Sequence, residues 1–236
     1  MPILEIVLGP GESVVSESGQ LAWINHNIEL ETSTAMGGSS GVFGAVKRSI
    51  SGASFFMTRY QSAAPGGLVT FAAQLPGHIT QVDIQEGHSY MVHQDGFMCG
   101  TEGIVLETGL QKKLGAGIFG GAGFIMQRVR GNGTAWMELG GEVFCYELQA
   151  GESLRVHPGH VGMFEEHVQM NFASIKGLKN KVFGGGLFLA ELHGPGKVWL
   201  QSLSVANLAA ALSPYMSVEE SAAAGAVGGV VGGLLK

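Results

Sequence analysis

Val42-Phe43-Gly44, Ile118-Phe119-Gly120 and Val182-Phe183-Gly184 decide how this chain is read. Each phenylalanine stands 32 residues after a glycine that opens a turn: Gly11 before Phe43, Gly87 before Phe119, Gly151 before Phe183. One interval occurring three times points to an internal repeat, and it sets the order in which the rest is taken.

Working outward, each leading glycine is followed by a polar residue, a serine and a short apolar run. The runs are Gly11-Glu12-Ser13-Val14-Val15, Gly87-His88-Ser89-Tyr90-Met91 and Gly151-Glu152-Ser153-Leu154-Arg155. A second glycine (Gly19, Gly96, Gly159) re-aims the chain into Leu21–Ile24, Phe97–Gly100 and Val161–Phe164. That is strand, turn, strand, with glycine supplying the positive φ of the turns. Beyond each Phe-Gly element comes an apolar strand: Phe55–Arg59, Phe124–Arg128 and Leu187–Glu191. Ala64-Pro65-Gly66-Gly67, Gly131-Asn132-Gly133 and Gly194-Pro195-Gly196 then mark hairpins. The chain returns in Leu68–Ala72, Thr134–Glu138 and Lys197–Gln201. The expectation is an all-β domain over residues 1–212, built of three repeats (1–76, 77–140, 141–212).

Late in the chain, Ser204 is placed to cap a helix over Val205–Leu212 that Pro214 stops, expected to cover an open end of the β core. Residues 213–236 form a Gly/Ala-rich tail with Gly-x-x-x-Gly spacing at Gly225, Gly229 and at Gly228, Gly232. The tail's apolar run falls short of the ~20 residues a spanning helix needs. It reads as a flexible or subunit-packing segment before a lipid-contacting one.

Composition narrows the function. The chain has 236 residues, 45% of them hydrophobic and only 14% charged, so a sparsely charged surface accompanies a large core. Such a surface fits a homo-oligomer with apolar area in its contacts. The formal net charge of −6 argues against nucleic acid, which needs a basic footprint. Cys99 and Cys145 lie within strands without metal-site spacing and read as buried thiols. Met1-Pro2-Ile3-Leu4-Glu5 lacks a basic start and a long apolar core, so cytoplasmic location is expected, with or without membrane association.

Two enzyme-like motifs dissolve in context. Gly115–Gly120 matches G-x-G-x-x-G, but a strand rather than a helix follows it. Gly37–Gly41 matches G-x-S-x-G, but polar residues precede it, and Asp83 and Asp95 are the chain's only aspartates. Neither a catalytic residue nor a cofactor site is expected. For a metal, His93, His157 and His167 form the candidate set. His93 and His157 hold equivalent positions six residues after Gly87 and Gly151, where the first copy has Glu17. These side chains either converge or sit on separate strand ends.

Basic residues gather around the Phe-Gly elements: Lys47 and Arg48, Lys112 and Lys113, then Lys176, Lys179 and Lys181. With Phe43, Phe119 and Phe183 they compose a surface suited to an anionic membrane, where each cation contributes about 1 kcal/mol. The competing reading makes the rings core plugs edged by solvated lysines.

The closing stretch Gly194-Pro195-Gly196-Lys197-Val198-Trp199-Leu200-Gln201-Ser202-Leu203, with Gly120–Phe124 and Gly184–Phe188, resembles the altered-inheritance-of-mitochondria family over about residues 1–212. After Leu203 the chain departs from the expected Pro and Ser-Arg-Leu. The resemblance implies a fold similar to the tryptophan RNA-binding attenuator, three repeated antiparallel β-sandwich units around a pseudo-threefold, together with a mitochondrial-biogenesis-type protein of bacterial kind and no enzyme activity. The functional expectation is a non-enzymatic, self-associating β scaffold, peripheral to membrane. The alternative is a small-ligand or metal-binding protein with a histidine-rich rim.

Overall fold

The computed structural model of the chain describes residues 1–17, 19–33, 57–112, 124–174 and 188–215. Their architecture is all-β with one short helix. The first six strands are β1 (Ile3–Leu8), β2 (Ser13–Glu17), β3 (Leu21–Ile24), β4 (Ile28–Ser33), β5 (Met57–Ser62) and β6 (Gly67–Ala72). Six more are β7 (Gly77–Ile84), β8 (Tyr90–His93), β9 (Phe97–Thr101), β10 (Ile104–Lys112), β11 (Phe124–Gly131) and β12 (Gly133–Gly140). The last are β13 (Val143–Leu148), β14 (Ser153–Val156), β15 (Val161–Glu165), β16 (Gln169–Ser174), β17 (Phe188–His193) and β18 (Gly196–Gln201). Helix α1 (Val205–Leu212) follows, formed where the Ala/Leu run predicts it, and it falls in a separate unit of the chain.

Turn chemistry sets the local structure. Gly11, Gly87 and Gly151 adopt φ of 78°, 84° and 86°, a left-handed backbone that a Cβ disfavours. In the turn before β2, Glu12 N–H donates to Gly9 O at 3.1 Å, and the Glu12 carboxylate accepts Gly9 N–H at 2.7 Å. Glu152 closes the turn before β14 in the same way on Gln149, at 3.0 and 2.7 Å. The glutamates after Gly11 and Gly151 are thus turn clamps. His88, their counterpart, makes the backbone bond alone to Gln85 O at 2.9 Å.

Among the described residues, all the strand pairs are antiparallel. They assemble two three-stranded sheets, β1-β6-β3 and β14-β17-β16, and two six-stranded sheets, β4-β5-β2-β9-β12-β7 and β10-β11-β8-β15-β18-β13. The six-stranded sheets exist because β2 pairs with β9, and β8 with β15, across long stretches of sequence. The turns expected to make hairpins, at 64–67, 131–133 and 194–196, instead carry the chain from one sheet to another. A register shift interrupts β3 at Leu21/Trp23 where it meets β6, and β15 at Val161/Met163 where it meets β18. The same pairing on β9 jumps from Cys99 to Phe97. These are β-bulges, which add twist to a strand that must leave one partner for another.

Three cores lie between the layers. Ala135, Met137 and Leu139 of β12 join Val15, Phe97, Val92, Leu106, Val129 and Met163 in a core shared by the six-stranded sheets. Trp136, on the opposite face of the same strand, belongs with Tyr60, Val69, Phe71 and Met98 against the β1-β6-β3 sheet. Phe124, Met126, Phe164 and Val198 pack with Val156, Ala190 and Leu192 of the β14-β17-β16 sheet. Period-two alternation makes this possible, since successive side chains point to opposite faces and a strand covered on both sides is apolar throughout. Val14 and Val15, for that reason, serve different cores.

Candidate functional site

The three predicted metal histidines occupy three different surroundings. His93 ends β8, and its Nε2 is buried without a hydrogen-bond partner. Burial holds its imidazole below the usual histidine range, against the opposing pull of the Asp95 charge and a hydrogen bond to the Glu138 backbone. His157 precedes a short 3-10 turn over Pro158–His160 and accepts Gly159 N–H through Nδ1 at 3.3 Å. Its ring stands edge-on to His160, 5.7 Å between centroids, and burial lowers its pKa. His167 lies in the turn after β15, with Nε2 3.4 Å from Glu165 Oε2. Among the described residues, no three His, Cys, Asp or Glu side chains are grouped to hold a metal ion.

Glu17, the first-copy counterpart of His93 and His157, sits at the end of β2 and reaches across sheets. Its Oε1 accepts a hydrogen bond from Gln127 Nε2 of β11 at 3.3 Å. Burial, reinforced by the Asp95 charge and opposed by that hydrogen bond, pushes the Glu17 carboxyl up to about 7. Asp95 acts on Glu138 as well, whose buried carboxylate accepts Leu75 N–H at 2.8 Å and is raised chiefly by desolvation. Glu17, His93, Gln127 and Glu138 are thus interior polar groups of the six-stranded sheets, and among them burial brings the Glu17 carboxyl to about 7.

The strand junctions carry a second polar set. Arg59 of β5 is 2.9 Å from Glu102, just past β9, and Ser13 Oγ donates to the same carboxylate at 2.8 Å. Arg128 of β11 is 2.6 Å from Glu166, just past β15, and Ser89 Oγ donates to it too. Each trio spans the pairing that fuses two hairpin systems into one six-stranded sheet. The sequence held a sign of this, because the strands Phe55–Arg59 and Phe124–Arg128 both end in arginine. Their acidic partners are far along the chain, so nothing local announced the contact.

Cys99 is buried, and its thiol pKa is pushed up by desolvation. Cys145 corrects the sequence reading: it is exposed on β13, an outer strand of its sheet, where an open side is left to solvent. Phe43, Phe119, Phe183, Lys47, Arg48, Lys113, Lys176, Lys179 and Lys181 lie outside the described residues, as does the tail beyond residue 215. Lys112 closes β10, its backbone paired with Phe124. Among the described residues, no helix is long and apolar enough to cross a membrane, which leaves β-barrel spans unaddressed.

The chain is similar to an uncharacterized protein of Streptococcus pyogenes serotype M6, 26% identical over 219 residues, covering 91% of this chain and 87% of that protein. A crystal structure of a Streptococcus pyogenes protein has the same fold. Its TM-score is 0.71 at 23% identity, covering 91% of this chain and 94% of the other, a likeness of fold alone. Residues 1–203 match the family described as mitochondrial biogenesis AIM24. With six-sevenths of its length inside that match, the chain belongs to the AIM24 mitochondrial biogenesis family.

Proposed function

We propose that the chain is a non-catalytic, self-associating β scaffold made of three copies of one six-strand unit around a pseudo-threefold, working at an anionic membrane surface. One observation carries the repeat. Taking the strands six at a time, the sixth is flanked by the first and third, and the fifth by the second and fourth, in all three groups. Successive groups are then joined by the second strand of one and the third strand of the next.

The membrane part draws its support from where the Phe-Gly elements fall. Residues 34–56, 113–123 and 175–187 each connect the fourth strand of a group to the fifth. The three segments leave from Ser33 opposite Met57, Lys112 opposite Phe124 and Ser174 opposite Phe188, equivalent hairpin ends. Three aromatic, lysine-bearing links of the same origin are a multivalent contact, weak singly and additive together.

Flotation with anionic and neutral liposomes tests this, at low and at high salt. Salt-sensitive binding to anionic vesicles is expected, with loss of binding on Phe43→Ser, Phe119→Ser and Phe183→Ser together. Unchanged β circular dichroism must accompany that loss. A collapsed fold would make the rings core plugs, and binding equal for both lipids would remove the electrostatic reading.

A further inference from the structure

β9 meets β12 and β15 meets β18 through the same bulge, which sets their residues in correspondence. Phe97 opposite Met137 matches Val161 opposite Leu200, and Cys99 opposite Trp136 matches Met163 opposite Trp199. One residue further along the returning strands stand Glu138 of β12 and Gln201 of β18, both buried. Two residues before Phe97 and Val161 stand Asp95 and Gly159, in the turns that lead into β9 and β15.

Gln201 shows what a side chain does at this position. Its Oε1 accepts Gly140 N–H at 2.9 Å, from the segment leading into β13, and its Nε2 donates to Gly159 O at 3.2 Å. Glu138 repeats the first half: its Oε1 accepts Leu75 N–H at 2.8 Å, from the segment leading into β7. Its Oε2, in the place of the amide nitrogen, is buried without a partner. The corresponding carbonyl is that of Asp95, and a carboxylate oxygen facing it would set acceptor against acceptor. Glu138 is 4% exposed and, among the described residues, no ion pair reaches it. An ionised carboxylate so placed is costly, whereas a carboxylic acid supplies the missing donor. Desolvation raises its pKa, against the Leu75 and Gln74 N–H groups that lower it, and the Asp95 charge raises it further. From β8, His93 bonds the Glu138 backbone and is kept toward its neutral form by burial. β7 sets Ile79 opposite, and Trp136, on the same face, packs with Tyr60, Val69 and Phe71.

We propose that Glu138 is a carboxylic acid in the folded protein, its Oε2–H donating to the Asp95 carbonyl, and that this bond is a proton-dependent latch on the turn between β8 and β9. Those two strands belong to different six-stranded sheets, so residues 94–96 carry the chain from one to the other. Loss of the proton leaves Oε2 and the carbonyl as two acceptors face to face beside the Asp95 charge, and the turn loosens. Because burial raises the Glu138 pKa, the latch is closed in acid and released as pH rises through the folded value. The other crossings lack it. The turn into β15 is held by Gln201, whose amide keeps its donor at every pH, and β6 has Ala72 at this place, next to Phe71 opposite Leu21.

Infrared difference spectra and amide exchange test the latch on the full chain. Glu138→Gln is expected to remove one carboxylic-acid C=O band whose midpoint lies above the ~4.3 of an ordinary glutamate, and which Glu17→Gln leaves in place. The Gly96 amide, which donates to His93 O at 2.8 Å, reports the turn itself. Its protection factor should fall with rising pH in the unsubstituted chain, by up to about tenfold per unit, and stay level in Glu138→Gln. Gln201→Glu should transfer the behaviour, so that protection of the His160 amide, bonded to His157 O at 2.9 Å, falls in the same way. A removed band that titrates at or below the ordinary value, or Gly96 protection that stays level in the unsubstituted chain, would overturn the proposal. So would a Glu138→Gln chain that circular dichroism shows unfolded, because an amide replaces an O–H donor but not a second accepting oxygen.

Discussion

Within the chain, β2 and β9 meet over Val14, Val15 and Cys99, all buried, whereas β3 and β14 expose Trp23 and Arg155 at the corresponding places. The two regions are built from the same turn, the same bulge and the same flanking strands. What differs is whether a following group of strands is there to cover them. An internal junction inherits its partner by chain connectivity, at high effective concentration, and can evolve into an apolar core. An edge must stay tolerable in the free molecule, so polar and charged side chains persist there.

The largest effect that sharpens this contrast belongs to the central core. Phe97→Ala, at a side chain with no exposure, is expected to cost about 3–5 kcal/mol in denaturant unfolding. Trp23→Ala on the open edge should cost under about 1 kcal/mol in the same titration. Equal losses at the two sites would erase the distinction.

Next comes the polar group between the six-stranded sheets. Glu17 is raised in the fold to about 7, so the folded state binds its proton more tightly than the unfolded chain does. Its contribution is fully present below the ordinary carboxylate range and is lost as pH rises through about 7, a difference of roughly 3 kcal/mol at most. Glu17→Gln should therefore stabilise the protein at pH 8 and flatten the loss between pH 5 and 8, read by urea titrations across that range. His93 has the opposite sign. Its lowered pKa keeps it neutral in the fold, so stability falls as pH drops through the unfolded histidine range. A His93→Gln variant that keeps the acid-side loss would refute that assignment.

The smallest expected effect is at the ion pairs of the internal junctions, Arg59–Glu102 and Arg128–Glu166. Arg128→Ala removes an ion pair with side chains 42% and 37% exposed, and should cost no more than about 1 kcal/mol at low salt and less at high salt. A loss of several kcal/mol in thermal unfolding would show that the ion pair, rather than the apolar strand pairing, holds the junction.

The second, third, fifth and sixth strands of each group were legible in the sequence, because glycine turns and apolar runs are local signals. The first and fourth strands were not. β1 and β13 alternate weakly and lie at sheet margins, and β4 and β10 run into the links that carry the Phe-Gly elements. The site was less legible still. His93 and His157 look equivalent by position, yet one is buried beside Glu138 and the other stacks edge-on against His160. Glu17 read as the first-copy counterpart of those histidines and is a hydrogen-bonded link between sheets.

By itself, the sequence determined the class of structure and the places where the chain turns. Glycine's access to positive φ and the two-residue period of a strand act within a few residues, so they are written locally. Tertiary structure alone decided that β2 takes β9 and β8 takes β15, and that Arg59 finds Glu102 and Arg128 finds Glu166. Those partners are distant in sequence, and only layering of the sheets removes enough water to make the pairings hold and to shift Glu17 toward neutrality.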